Sequence, residues 1–294
     1  MIEAKRQGGS RMVVAGEEPA TGRLGVQLAR DELVIESALH DALENNELQF
    51  EFQPIMRPDG RIEAVEALAR CNARGLQISP ARFIPVAEKT GLILRLGEWS
   101  LLQGAHYAAQ LRDLGCPTKV AINVSRAQLR ARSFMQALHG ALVCAGVAPE
   151  LIELELTESL FMDLSPVVQD NMRSAREVGV GLAIDDFGTG YSSLSSMKDF
   201  PATKLKFDRA FVAALPADTR ALAIIRAMTQ LAKDLGMVVV AEGVENADQL
   251  DACLAAGVDA TQGYFIGPPM TDSALWSWMK AGRKSWRVVT GRTP

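Results

Sequence analysis

Residues 181–194 read GLAIDDFGTGYSSL. An apolar run from Gly181 to Ile184 delivers two adjacent carboxylates, Asp185 and Asp186, into a turn containing Gly188 and Gly190. Adjacent carboxylates repel each other and resist desolvation, so a buried strand ends in this way only where a cation binds or water reaches. Taken alone, the segment also reads as a solvated strand-to-loop turn without chemistry. The GTGYSS run imitates a glycine-rich nucleotide loop, but the acids before it would repel a pyrophosphate.

The layout recurs along the chain. Short apolar or alternating runs occur at 48–55 (LQFEFQPI), 61–70 (RIEAVEALAR), 119–125 (KVAINVS), 151–158 (LIELELTE), 181–186 (GLAIDD), 203–208 (TKLKFD), 237–242 (MVVVAE) and 260–265 (ATQGYF). Segments of helical period lie between most of them, at 80–115, 126–146 and 219–236 among others, and several end at Gly. Strands alternating with helices in this number predict an α/β fold, a modified TIM-type (β/α)8 barrel rather than a doubly wound sheet. Only MRPDG (56–60) separates the first two strands, so they form a hairpin and one strand near the N-terminus runs antiparallel to the rest.

Alternation along each strand places Glu66, Leu68 and Arg70 on one face, and likewise Ala121 with Asn123, Ala183 with Asp185, Lys206 with Asp208 and Val240 with Glu242. Charged or amide groups thus gather at strand C-terminal ends, where barrel enzymes carry their chemistry. Glu66, Asn123, Glu155, Asp185, Asp186 and Glu242 make five carboxylates and one amide oxygen, accompanied by Lys206. Oxygen donors without clustered thiolates or imidazoles suit Mg2+ or Mn2+. So many carboxylates exceed one ion's needs and fit a two-metal site with ions about 3.5–4 Å apart. Two residues below the rim lie Ala64, Ala121, Glu153, Ala183, Lys204, Val240 and Ala260, which predicts an ion pair between Glu153 and Lys204 across the barrel floor.

The 294 residues are 48% hydrophobic, enough for a large core, and 31 basic against 35 acidic residues leave no broad cationic field for duplex nucleic acid. Cys71, Cys116, Cys144 and Cys253 form no CxxC pair, and His40, His106 and His139 cluster neither with them nor with one another, which argues against zinc and a disulfide framework. No run approaches the roughly 20 apolar residues of a membrane span, and MIEAKRQGGSRMVV lacks a signal-peptide core, so a soluble cytoplasmic chain is expected.

EALAR (66–70), NVS (123–125), ELTES (155–159), DDFGTGYSSL (185–194), LKFDRAFV (205–212), AEGVE (241–245) and QGYFIGPP (262–269), in that order, closely resemble the motif series of EAL-domain cyclic-di-GMP phosphodiesterases. The resemblance runs from about Asp31 to Met279. It implies an enzyme that opens one phosphodiester of cyclic di-GMP to linear pGpG with two Mg2+ or Mn2+ ions, Ca2+ being inhibitory. By motif match Glu66, Asn123, Glu155 and Asp185 resemble ligands of the first ion, with Asp185 bridging to a second beside Asp186 and Glu242. Lys206 would orient or polarise the attacking water, and Gln262 would hold a second water or the metal shell. Glu158 resembles the residue that anchors the loop at 187–195. Gln53, Leu68, Arg70, Asp208, Glu245, Gln262 and Tyr264 fall where the family contacts the dinucleotide.

Departures are Phe207, where isoleucine is usual, and Cys71, where an aromatic is common. Every acidic position of an active member is filled; degenerate members bind cyclic di-GMP without cutting, which leaves a regulatory binding module as the alternative. IEAKRQGGSR (2–11) resembles the end of a GGDEF domain, which makes 1–30 a linker with a possible GGDEF tail, 31–282 the barrel and 283–294 a frayed basic tail. Upstream GGDEF or sensory domains, with any membrane anchor, would then belong to a longer protein. The resemblance also suggests a homodimer through a surface near the loop after Asp186.

Overall fold

The computed structural model describes residues 20–73, 75–161, 163, 165–188 and 200–281. The GGDEF-like start, most of the GTGYSS loop and the basic tail lie outside the described residues.

A helix, α1 (Ala20–Asn45), leads into the hairpin β1 (Leu48–Met56) and β2 (Ile62–Ala73), running through the expected linker boundary at residues 30 and 31. The strands β4 (Lys119–Asn123), β5 (Ile152–Thr157), β6 (Gly181–Phe187), β7 (Lys204–Phe207), β8 (Val238–Ala241) and β9 (Ala260–Thr261) follow in parallel. β1 pairs antiparallel with β2 on one side and with β9 on the other, which closes an eight-stranded α/β barrel with the expected single antiparallel strand. A short β3 (Leu76–Ile78) adds to the end of β2 outside the closed ring.

The helices are α2 (Pro80–Thr90), α3 (Leu92–Asp113), α4 (Arg126–Arg130), α5 (Phe134–Ala145), α6 (Glu158–Phe161), α7 (Pro166–Glu177), α8 (Arg209–Ala213), α9 (Thr219–Asp234), α10 (Ala247–Ala255) and α11 (Asp272–Ala281). The single helical segment expected at 80–115 is two helices, because Gly91 takes φ 80° and turns the chain. The segment at 126–146 also divides: Ser125 and Gln128 form a capping box on α4, and Ala131 returns to extended backbone. The last strand, expected to reach 265, ends at Thr261. There the ladder is diverted, with the Gln262 carbonyl accepting from the Val244 N–H at 3.0 Å.

The main core lies between the barrel wall and the outer helices, built from Val120, Ile122, Leu154, Leu182, Leu205 and Val239 facing Leu111, Leu138, Met172 and Ile225. Inside the barrel, Ile55, Ala64, Val240 and Ala260 form a small apolar plug. Phe207 faces outward, against Phe187 and Phe211. Among the described residues no helix is long and apolar enough to cross a membrane.

Candidate active site

The C-terminal ends of the parallel strands bring Glu66, Glu155, Asp185, Lys206 and Glu242 into one cluster. Lys206, fully buried, places Nζ 2.6 Å from Glu242 Oε1, 2.7 Å from Glu155 Oε1, 3.0 Å from Asp185 Oδ1 and 3.6 Å from Glu66 Oε2. Glu66 is fixed from its other side: Asn123 Nδ2 donates to Oε1 at 2.9 Å and Gln262 Nε2 donates to Oε2 at 2.7 Å. Gln262 also donates to Gln53 Oε1 at 3.0 Å, and Gln53 Nε2 donates to the Gly267 carbonyl at 3.0 Å.

The pairing of β6 with β7 explains the two adjacent aspartates. Ile184 stands opposite Leu205 but Phe187 opposite Phe207, so β6 carries one extra residue between them. Asp186 takes that bulge in the left-handed conformation, φ 54°. Neighbours in a regular strand face opposite ways, whereas a bulge re-aims a side chain. The result is that carboxylate oxygens of Asp185, Asp186 and Glu242 lie within 4.8 Å of one another.

One ammonium does not satisfy this cluster. The one ammonium of Lys206 is shared among Glu155 Oε1, Asp185 Oδ1 and Glu242 Oε1, all sealed from solvent, and the second Glu155 oxygen, Oε2, has no hydrogen-bond donor. Burial pushes the Glu155 carboxyl well above the ordinary carboxylate range, with Glu66 adding to it. Burial likewise raises Glu242, more than Lys206 lowers it, and burial and Asp185 raise Asp186. For Glu66 the burial cost is outweighed by Lys206 and the two amide donors, which hold it below that range. Burial opposes the charge of Lys206, yet Asp185, Glu155 and Glu242 keep its ammonium protonated well beyond the usual lysine range. Unpartnered hard oxygens with surplus negative charge fit divalent cations.

Glu158 opens α6 and is buried. Its Oε2 accepts the Gly188 N–H at 2.6 Å, tying the start of the loop after Asp186 to the strand that carries Glu155. Gly188 is required there, because its φ is 101° and a Cβ would stand 2.0 Å from the Phe211 ring.

The remaining expected contact residues are more spread. Leu68 is half-buried on the inner face of β2. Arg70 donates through Nε to Glu51 Oε2 at 2.7 Å. Asp208 caps α8, accepting the Ala210 N–H at 2.8 Å. Glu245 and Tyr264 are exposed, and among the described residues no hydrogen bond or ion pair joins their side chains to the cluster. Beside Leu68, Asn123 and Glu155 opens a cavity of about 240 Å³, otherwise mainly apolar and lined by Phe83, Ile84 and Leu96.

One layer below the rim the expected ion pair is present: Lys204 Nζ donates to Glu153 Oε1 at 2.6 Å, both side chains 1% exposed. Glu63, not singled out in the sequence, lies 3.7 Å from Lys204 and is held by Arg57 at 2.8 Å. The alternation that turns Gln53 inward applies equally to Glu51, the partner of Arg70.

A family model described as EAL domain matches residues 36–269. The bifunctional diguanylate cyclase/cyclic di-GMP phosphodiesterase MucR of Pseudomonas aeruginosa is 37% identical over 254 residues, 84% of this chain and 36% of that protein. Cyclic di-GMP phosphodiesterase NbdA of the same organism is 36% identical over 259 residues, 87% of this chain and 33% of that protein. A solved structure titled PaMucR Phosphodiesterase, c-di-GMP complex, superposes with a TM-score of 0.78 at 36% identity, covering 82% of this chain and 99% of that one. The chain spans about a third of the length of the curated relatives it matches. Barrel, rim cluster and a family match over most of its length agree: the chain belongs to the EAL domain family.

Proposed function

We propose that this chain is a metal-dependent phosphodiesterase that hydrolyses cyclic di-GMP to linear pGpG. The observation that carries the reading is the convergence of Asp185, Asp186 and Glu242 on one spot, beside a buried Glu155 whose Oε2 lacks a donor. Sequence likeness to relatives named as cyclic di-GMP phosphodiesterases, and to a structure titled as a cyclic di-GMP complex, supports the substrate. Glu66, Asn123, Glu155 and Asp185 would hold one Mg2+ or Mn2+, and Asp185, Asp186 and Glu242 a second. When bound, such ions neutralise the phosphodiester and lower the pKa of a coordinated water.

The protein's own groups do the rest. Lys206 offers three N–H donors and no acceptor, so its task is to hold the attacking water or the developing charge on a phosphoryl oxygen. Gln262 and Asn123 fix the Glu66 carboxylate, and Gln53 locks Gln262 in turn. Arg70 provides a fork for a phosphate oxygen once it exchanges Glu51 for substrate. The cavity beside Leu68 suits a planar base, with Asp208, Glu245 and Tyr264 along the open face.

The same reading extends to the whole protein. A GGDEF domain upstream is supported by the resemblance of residues 2–11 and by the name of MucR, and a homodimer near the loop after Asp186 belongs to the same proposal. Turnover of cyclic di-GMP with Mg2+ or Mn2+ tests the function. Product pGpG, lost in EDTA and in Ca2+, is the expected result; tight binding without turnover would instead make the chain a regulatory binding module.

A further inference from the structure

The rim and the layer beneath it repeat one arrangement. Glu153 and Glu155 point inward from β5, and Lys204 and Lys206 point inward from β7. Glu155 meets Lys206 at 2.7 Å and Glu153 meets Lys204 at 2.6 Å, each contact crossing β6 above Ala183 or Gly181. The absent side chain at 181 leaves room for the lower contact, since a Cβ there would stand 3.3 Å from Glu153 Cγ. Ile55, Ala64, Val240 and Ala260 form an apolar plug in the lumen, and both lower charges are buried.

The partners of the two rungs are unequal. Lys204 has a second carboxylate, Glu63, at 3.7 Å, and Glu63 has Arg57 at 2.8 Å and Lys119 at 3.9 Å besides. Among the described residues Glu153 has no ion pair except that with Lys204. Lys206, above, rests on Glu155, Asp185 and Glu242, the groups assigned above to cations. An ammonium on a flexible four-carbon stem is free to re-aim toward another carboxylate when those three are taken up by cations. Glu153 is that carboxylate: it lies one layer below Glu155 on the same inward face of β5, and the Glu153–Lys204 contact shows that a β7 lysine spans β6 to it.

We infer that Lys204 is a positioning residue for the reaction proposed above: by occupying Glu153 it denies Lys206 the lower carboxylate and keeps the catalytic ammonium at the rim. The inference rests on that reading of the site. It gives the two halves of the ion pair different effects. Lys204→Met vacates Glu153, whereas Glu153→Gln vacates nothing and leaves Lys204 with Glu63.

Both single variants are expected to melt at lower temperature. Measured below melting, Lys204→Met should lose roughly 10-fold or more in kcat with KM nearly unchanged, while Glu153→Gln stays within about threefold of wild type. The double variant, lacking the decoy, should recover kcat. Activity that follows melting temperature through all three variants would overturn the inference. If Lys204→Met does not fold, the milder Lys204→Gln takes its place. A crystal structure of the Mn2+-loaded Lys204 variant gives a readout independent of turnover. Lys206 Nζ is expected against Glu153 there, and an ammonium still at the rim would refute the inference. A wild-type chain inactive on cyclic di-GMP would remove the proposed activity, and the Mn2+-loaded structure would still decide what Lys204 does.

Discussion

Lys206 faces four carboxylates within 3.6 Å, so its charge is the organising feature of the rim. Lys206→Ala should leave cation and substrate binding largely intact and lower kcat by roughly 10²-fold or more, the scale of one lost transition-state contact. A kcat within about threefold of wild type would assign the lysine to structure alone. Asp186 separates backbone from charge. Asn tolerates the left-handed conformation, so Asp186→Asn should keep the melting temperature and weaken Mn2+ binding measured by titration calorimetry. Asp186→Val should in addition lose roughly 1–2 kcal/mol of stability, the cost of that conformation for a side chain that resists it. The inward residues of each strand were legible from alternation, and so was the lower ion pair. How Asp186 joins Asp185 was not, because a one-residue bulge reverses the alternation and leaves no mark in hydrophobic pattern.

At the scale of elements, α6 and the loop after β6 are coupled through one short hydrogen bond. Glu158→Ala removes the acceptor for Gly188 N–H two residues from Asp186, so Mn2+ affinity and turnover should fall together while the barrel keeps its melting temperature. Wild-type values for both would disconnect the loop from the site. Helix and strand identities within the segments read as elements followed from periodicity, while the differences lie at joints, at element ends and in elements too short to show a period. A helical period continues through Gly91 unbroken, and only the φ of that residue shows that α2 and α3 are separate. β3 is three residues long, too short to carry a period, and exists because β2 outruns the barrel and offers it an edge.

For the molecule as a whole, the closed ring was legible from strand count and the five-residue hairpin connection, while its unevenness was not. Burial also governs thiol chemistry: Cys253 is pushed up to about 12 and Cys71 is raised as well, while Cys144 is exposed. Iodoacetamide at about pH 8 should therefore modify Cys144 and spare the two buried thiols until the chain unfolds. A thiol whose folded pKa is raised favours the folded state below its unfolded value of about 8.5 and loses that contribution as pH rises toward the folded value. Melting temperature should accordingly decline above about pH 8.5, less steeply in Cys253→Ala. The ring itself has a thin place. β4 and β5 share four paired positions and β5 and β6 five, but β1 meets β9 at Met56 and Thr261 alone, with Phe52 and Met270 as an outlying bridge. The Gln53–Gln262 side-chain bond stitches the same gap, and Gln262 is the donor that steadies Glu66. Amide protons at Phe52 and Met270 should thus exchange with deuterium well before those of β5. Each such opening would unlatch Glu66 from one of its two amides, so the rate at which the seam breathes sets a clock on how long the carboxylate rim stays assembled.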